Sequence, residues 1–132
     1  MTITGIDHIV LCVRSAPEAC AFYERTLGFV PREERPGKWS LTCGAQKFSL
    51  QEESSLPDIA RGTVRGSGNV CLLTDEEPGT LRERLEGMGV EIASSLRERD
   101  GAQGPILSFH MRDPDGNLVE IGSPVGRPVT GG

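Results

Sequence analysis

The chain has 132 residues, 36% of them hydrophobic and 25% charged, with a net charge of −5. That length holds a single domain with a real core, and the acidic balance with no basic stripe argues against a nucleic-acid partner. No stretch approaches the ~20 apolar residues of a membrane span and no basic-then-apolar leader is visible, which predicts a cytoplasmic protein with no membrane partner. The four cysteines, Cys12, Cys20, Cys43 and Cys71, have no CxxC or zinc-ribbon spacing and read as buried free thiols.

In chain order, "HIVLCV" at 8–13 is a compact, β-branched and apolar run that suits a buried strand. Ser15-Ala16-Pro17-Glu18 then reads as a helix start, with Ser15 as N-cap and Glu18 at the capping-box spacing. Cys20, Tyr23, Glu24 and Leu27 follow along one side, and Gly28 supplies the stop. Three strand-like pieces come next, 29–35, 39–43 and 46–52, bent at Pro36-Gly37 and Gly44-Ala45. Residues 54–68 are Gly/Ser-rich with one Pro and read as a linker, with one helical turn at 57–61. The second half predicts a strand at 69–74, a helix at 77–88 ending at Gly89, and strands at about 90–96, 105–112 and 117–122. The tail 124–132 reads as a flexible arm.

The halves keep register. His8 to Asn69 and Leu27-Gly28-Phe29 to Met88-Gly89-Val90 share an offset of 61 positions, which suggests duplication of one βαβββ unit. The predicted organisation is a single domain over 1–123, with one module at about 3–53, the linker at 54–68 and a second module at about 69–123.

The last two strands flank the turn Arg112-Asp113-Pro114-Asp115-Gly116, whose Pro and Gly stand where turn chemistry wants them. The short, mostly apolar strand after it carries a carboxylate, Glu120, in its middle. Strand parity puts Ile9, Leu11 and Val13 on one face and His8 on the other. It likewise separates Phe48 and Leu50 from Gln51, and Val119 and Ile121 from Glu120. The apolar sets are expected to meet the helices. His8, Gln51, Asn69 and Glu120 are then expected to line the opposite side of the sheet. Parity does not decide the face of His110, which as a lone histidine reads as a satisfied side chain before it reads as a ligand.

"DHIVLCV" at 7–13, "FYERTLGF" at 22–29 and "RDPDGNLVEI" at 112–121 resemble the vicinal oxygen chelate superfamily of glyoxalases, bleomycin-resistance proteins, extradiol dioxygenases and fosfomycin-resistance enzymes. The resemblance runs from about residue 3 to 123. It implies an α+β fold of two βαβββ modules forming a cupped mixed sheet with helices outside, and a homodimer. It also implies a divalent metal held by the first and last strands of each module: His8, Gln51 (with Ser49 as the other choice), Asn69 and Glu120. The chain departs from the family pattern at Gln51 and Asn69, whose neutral amide oxygens weaken such a site, for Zn²⁺ most of all. Mn²⁺, Ni²⁺ and Mg²⁺ remain candidates. Asn69 counts against the extradiol and fosfomycin-type chemistries.

Two functions follow from the resemblance. One is a metal-dependent lyase or isomerase of the glyoxalase type, acting on a small oxygenated molecule, with the ion as Lewis acid and Glu120 as the catalytic base. The other is a metal-free small-molecule or drug-binding protein of the bleomycin-resistance type, in which His8 pairs with Glu120 while Asn69 and Gln51 complete a polar network. The loop at 97–105 is a candidate lid, and Arg99 or Arg65 a candidate contact for an anionic substrate; solvated loop and surface charge are the plainer readings. No nucleotide-binding glycine motif is present, because "GTVRGSG" precedes a strand instead of following one.

Overall fold

In a computed structural model of the chain, residues 2–129 are described, and they form two compact modules that divide between Arg65 and Gly66. The end of the expected arm, 130–132, lies outside the described residues. The first module runs β1 (His8–Val13), α1 (Ala16–Leu27), β2 (Val30–Arg35), β3 (Lys38–Cys43) and β4 (Gln46–Glu52). Its sheet has the order β1-β4-β3-β2, with β1 parallel to β4 and the other pairs antiparallel. The second module repeats the pattern with β5 (Asn69–Leu73), α2 (Pro78–Gly87), β6 (Arg97–Gly101), β7 (Gly104–Arg112) and β8 (Leu118–Pro124), in the order β5-β8-β7-β6. The α+β class and the βαβββ order are those that the sequence predicts. Among the described residues no helix is long and apolar enough to cross a membrane.

Local chemistry sets the elements. The Ser15 hydroxyl accepts from the Glu18 N–H at 3.3 Å and Glu52 accepts from the Ala16 N–H at 2.8 Å, so two of the orphan donors at the start of α1 are satisfied. Gly28 closes the helix at φ 72°, with the Phe29 N–H returning to the Tyr23 carbonyl at 3.2 Å. The α1 face buries Tyr23 against Phe29 and Phe48, with ring centroids 5.1–5.7 Å apart. Each such pair adds about 0.5–1.5 kcal/mol beyond the area it buries. In the second module, α2 packs on β7 and β8 through Leu81 and Leu85, over Phe109, Met111, Val119 and Ile121.

Three expectations shift. The helical turn falls at Glu53–Ser55, not 57–61, where Pro57 to Ala60 form a plain turn. The strand placed at 90–96 is reduced to one bridge, Ile92 to Met111, and the true strand is β6 at 97–101. The cause is Ser94: its hydroxyl accepts the His110 N–H at 2.8 Å, which a continued ladder would have given to a backbone carbonyl. The candidate lid at 97–105 is therefore a β-hairpin, β6 and β7 turning at Gly101–Gly104. Of the thiols, Cys12 and Cys20 are buried, Cys43 is half-buried and Cys71 is exposed.

Candidate functional site

Residues opposite one another in a ladder share a face. On β7 and β8 the set Phe109, Met111, Val119 and Ile121 faces α2 and is at most 2% exposed. The alternate set therefore lies on the open face: Asn69, Cys71 and Leu73 of β5, Leu118 and Glu120 of β8, and Ser108 and His110 of β7. Glu120 stands between Cys71 on one side and His110 on the other. This resolves both the charge in a mostly apolar strand and the face of His110. Both side chains keep partial contact with solvent, His110 at 20% and Glu120 at 18%.

Glu120 is held by a closed ring of polar groups. The Ser108 hydroxyl lies 2.7 Å from Glu120 Oε2. Arg99 Nη1 donates to the Ser108 carbonyl and hydroxyl, and Nη2 donates to the Ser94 hydroxyl at 3.3 Å and the Ser95 carbonyl at 3.1 Å. The Ser94 hydroxyl lies 2.7 Å from His110 Nδ1, and His110 Nε2 returns to Glu120 Oε1 at 3.5 Å, a long electrostatic contact. Arg99 is thus a member of the network around the carboxylate instead of a surface charge. Ser94 and Ser108 are members that parity reasoning missed. Within the second module the partners of Glu120 are Ser108 and His110, with Arg99 and Ser94 behind them.

A cavity of about 350 Å³ opens beside the ring, near the low end of small-molecule sites. Glu120 and Cys71 form part of its wall, with Leu73, Ile106 and Pro124 as the apolar part and the Gly101–Gly104 turn as the rim. Asp100 and Arg127 complete it. The Arg127 guanidinium donates to the Pro105 carbonyl at 2.7 Å and the Gly104 carbonyl at 3.1 Å, which fixes its position without neutralising it. Partial burial of its sulfur, and secondarily the negative charge of Glu120, push the Cys71 thiol up to about 11. Cys71 is thus a poor nucleophile despite its exposure.

The "RDPDGN" motif has a structural task. Asp113 Oδ1 accepts from the Asp115 and Asn117 N–H groups at 2.9 Å, and Oδ2 accepts from the Asn117 amide at 2.9 Å. Asn117, 1% exposed, accepts from the Gly68 N–H at 2.8 Å and so ties the turn to the entry of β5. Gly116 takes the left-handed conformation, φ 87°, that this tight turn requires.

In the first module, His8 and Gln51 share the face away from α1, opposite Lys47 and Cys12 respectively. His8 Nδ1 lies 2.9 Å from Asp7 Oδ2. Ladder register also compares the two modules. Val10 pairs with Ser49 and Ser49 with Ser40, as Cys71 pairs with Glu120 and Glu120 with His110. Ser49, not Gln51, is therefore the internal counterpart of Glu120, and His8 that of Asn69. Arg65 lies 3.7 Å from Glu53.

Among the described residues no three His, Cys, Asp or Glu side chains gather where they could hold a metal ion. Glu120 already has a hydroxyl on one oxygen and an imidazole facing the other, and the Arg99 cation stands one hydroxyl away.

Comparison with known proteins places this site in a family. The model of the Glyoxalase/Bleomycin resistance protein/Dioxygenase superfamily matches residues 5–121. The chain belongs to that superfamily. It is 37% identical to virulence protein STM3117 of Salmonella typhimurium over 122 residues, 92% of this chain and 85% of that protein. It is 31% identical to Glyoxylase I 4 of Arabidopsis thaliana over 127 residues, 90% of this chain and 70% of that protein. A solved integron cassette protein from the mobile metagenome of V. cholerae superposes with a TM-score of 0.88 at 36% identity, covering 95% of this chain and 98% of that one. Members of this superfamily share a fold across unrelated chemistries, so function has to be argued from the site.

Proposed function

We propose that this superfamily member binds a small, oxygen-bearing and largely apolar molecule in the cavity of its second module, and that Glu120 exchanges a proton with it. The observation that carries this reading is the placement of Glu120: a partly exposed carboxylate, oriented by Ser108 and His110, on the wall of a cavity of about 350 Å³. An oriented carboxylate at a largely apolar wall is what a general base for proton abstraction beside a carbonyl needs. The charged groups on the wall, Glu120 and Asp100 against Arg127, favour a neutral or cationic ligand over an anion. Glyoxalase-type isomerase or lyase chemistry fits these roles, with the protein acting as the homodimer that the resemblance implies.

The metal-dependent form of this chemistry would draw on His8 and Glu120 as its best donors. The ring around Glu120 supports a metal-free site instead, so every step assigned here belongs to this chain's own residues. Glu120 takes the proton, Ser108 and His110 hold its two oxygens, and Arg127 offers a cation to an oxygen of the bound molecule. A second reading, a binding protein without turnover, is favoured by the mainly apolar wall and by a polar ring that closes on itself.

Thermal melting against a panel of neutral α-hydroxy carbonyls and vicinal diols tests the binding step. Compounds that raise the melting temperature of the native chain are expected to lose that effect in Ala102→Trp, which fills the cavity from its rim. A shift that persists undiminished in the variant would place the ligand elsewhere and defeat the proposal.

A further inference from the structure

The hydroxyl of Ser94 has two acceptor positions and one hydrogen. Both acceptor positions are taken, by the His110 backbone N–H at 2.8 Å and by Arg99 Nη2 at 3.3 Å. Its hydrogen therefore goes to the remaining neighbour, His110 Nδ1, at 2.7 Å. An Nδ1 that accepts carries no proton, so the ring proton sits on Nε2, the nitrogen that faces Glu120 Oε1. The same count applies to the other serine. The Ser108 hydroxyl accepts from Arg99 Nη1 at 3.2 Å and so donates to Glu120 Oε2 at 2.7 Å. Every hydrogen in the ring then points toward the carboxylate, and Arg99, bonded to both hydroxyls, sets the direction.

We infer that His110 is a positioning residue, held by Ser94 as its Nε2–H tautomer so that an N–H is aimed at Glu120. The inference gives a task to a histidine that the proposed reaction does not itself consume. It rests on the reading of Glu120 as the proton-exchanging group, but its test needs no substrate. A His110 with the proton on Nδ1 would turn a lone pair toward the carboxylate and push it out of place. A Ser94 that merely filled space would leave both tautomers populated, as in a free imidazole.

The test is the long-range ¹H–¹⁵N spectrum of ring-labelled protein near neutral pH. The chain has two histidines, so the His110 signals are assigned from their absence in His110→Gln. The native chain is expected to show His110 with Nε2 protonated and Nδ1 as an acceptor. Ser94→Thr, which keeps a hydroxyl, is expected to retain that signature, and Ser94→Ala to lose it to a mixture of tautomers. Glu120→Gln is expected to move the Nε2–H resonance while leaving the tautomer in place, because Ser94 sets it. A proton on Nδ1 in the native chain, or a mixture of tautomers there, would overturn the inference whatever the variants do. An Nε2–H resonance indifferent to Glu120→Gln would overturn it too. Absence of proton exchange on any substrate would instead count against the proposed function and leave the tautomer standing.

Discussion

At the scale of single residues, Cys71 reports on the electrostatics of the cavity wall. Burial, and then the charge of Glu120, raise its thiol to about 11, so at pH 8 only about one molecule in a thousand carries the reactive thiolate. Iodoacetamide at that pH is expected to modify Cys71 far more slowly than a free thiol does, read peptide by peptide in the mass spectrometer. Glu120→Gln removes the repulsion but not the burial, so the rate should rise modestly, by a few fold. A native rate equal to that of a free cysteine would mean that the sulfur is not partly buried in the cavity wall, and a rate unmoved by Glu120→Gln that it does not face the carboxylate. The sequence showed a carboxylate out of place at Glu120 and showed that its face was the one away from the helix. It did not show the neighbours, because Ser94, Ser108 and Arg99 are ordinary surface residues until three strands bring them together. The reading of all four cysteines as buried held for Cys12 and Cys20, held only in part for Cys43, and failed at Cys71 for a related reason. Parity puts it on the open face, and a thiol carries no charge to mark that exposure.

At the scale of elements, the turn from Asp113 to Asn117 fixes the register of β7 against β8 and hence which side chain meets Glu120. Arg112 opposes Leu118, so His110 falls opposite Glu120. The strand ends read from the sequence left four residues, 113–116, between those two strands, one fewer than the structure does. What parity lacked was the pairing that converts the length of a turn into a partner. Asn117→Ala removes the acceptor for the Gly68 N–H and the donor to Asp113 in a site 1% exposed. An unsatisfied Gly68 donor and the loss of one donor to the buried Asp113 carboxylate should together lower the stability of the chain by about 2–4 kcal/mol in urea unfolding. A loss under about 1 kcal/mol would show that water replaces these bonds, and that the motif does not pin the turn. The displaced strand at 90–96 was illegible for a specific reason. Apolar content argued for pairing there, but Ser94 spends its hydroxyl on the His110 N–H and interrupts the ladder.

For the whole molecule, duplication was the most legible feature, since strand starts and helix stops recur at one offset and the two sheets share a strand order. Register adds what the offset alone did not, that Ser49 and not Gln51 corresponds to Glu120. The duplicated frame therefore carries two faces elaborated differently, the first with Glu34 bound by Ser40 and Lys47. The second module has Glu120, His110 and Arg99, where the first has Ser49 and Ser40 at the positions of Glu120 and His110. Divergence between copies leaves backbone pattern intact and erases side-chain symmetry, which is why the fold could be read from sequence and the site only in part. The central claim is that Glu120, held by protein donors, exchanges a proton with a molecule in this cavity. Its most direct test is hydrogen–deuterium exchange at the α-carbon of a compound that raises the melting temperature, followed by NMR in D₂O with EDTA present. The native chain should catalyse exchange under chelation, and Glu120→Gln should slow it at least a hundredfold, in line with the contribution of a general base. Exchange that stops in EDTA and returns with Mn²⁺ or Ni²⁺, or that survives the loss of Glu120, would contradict the claim.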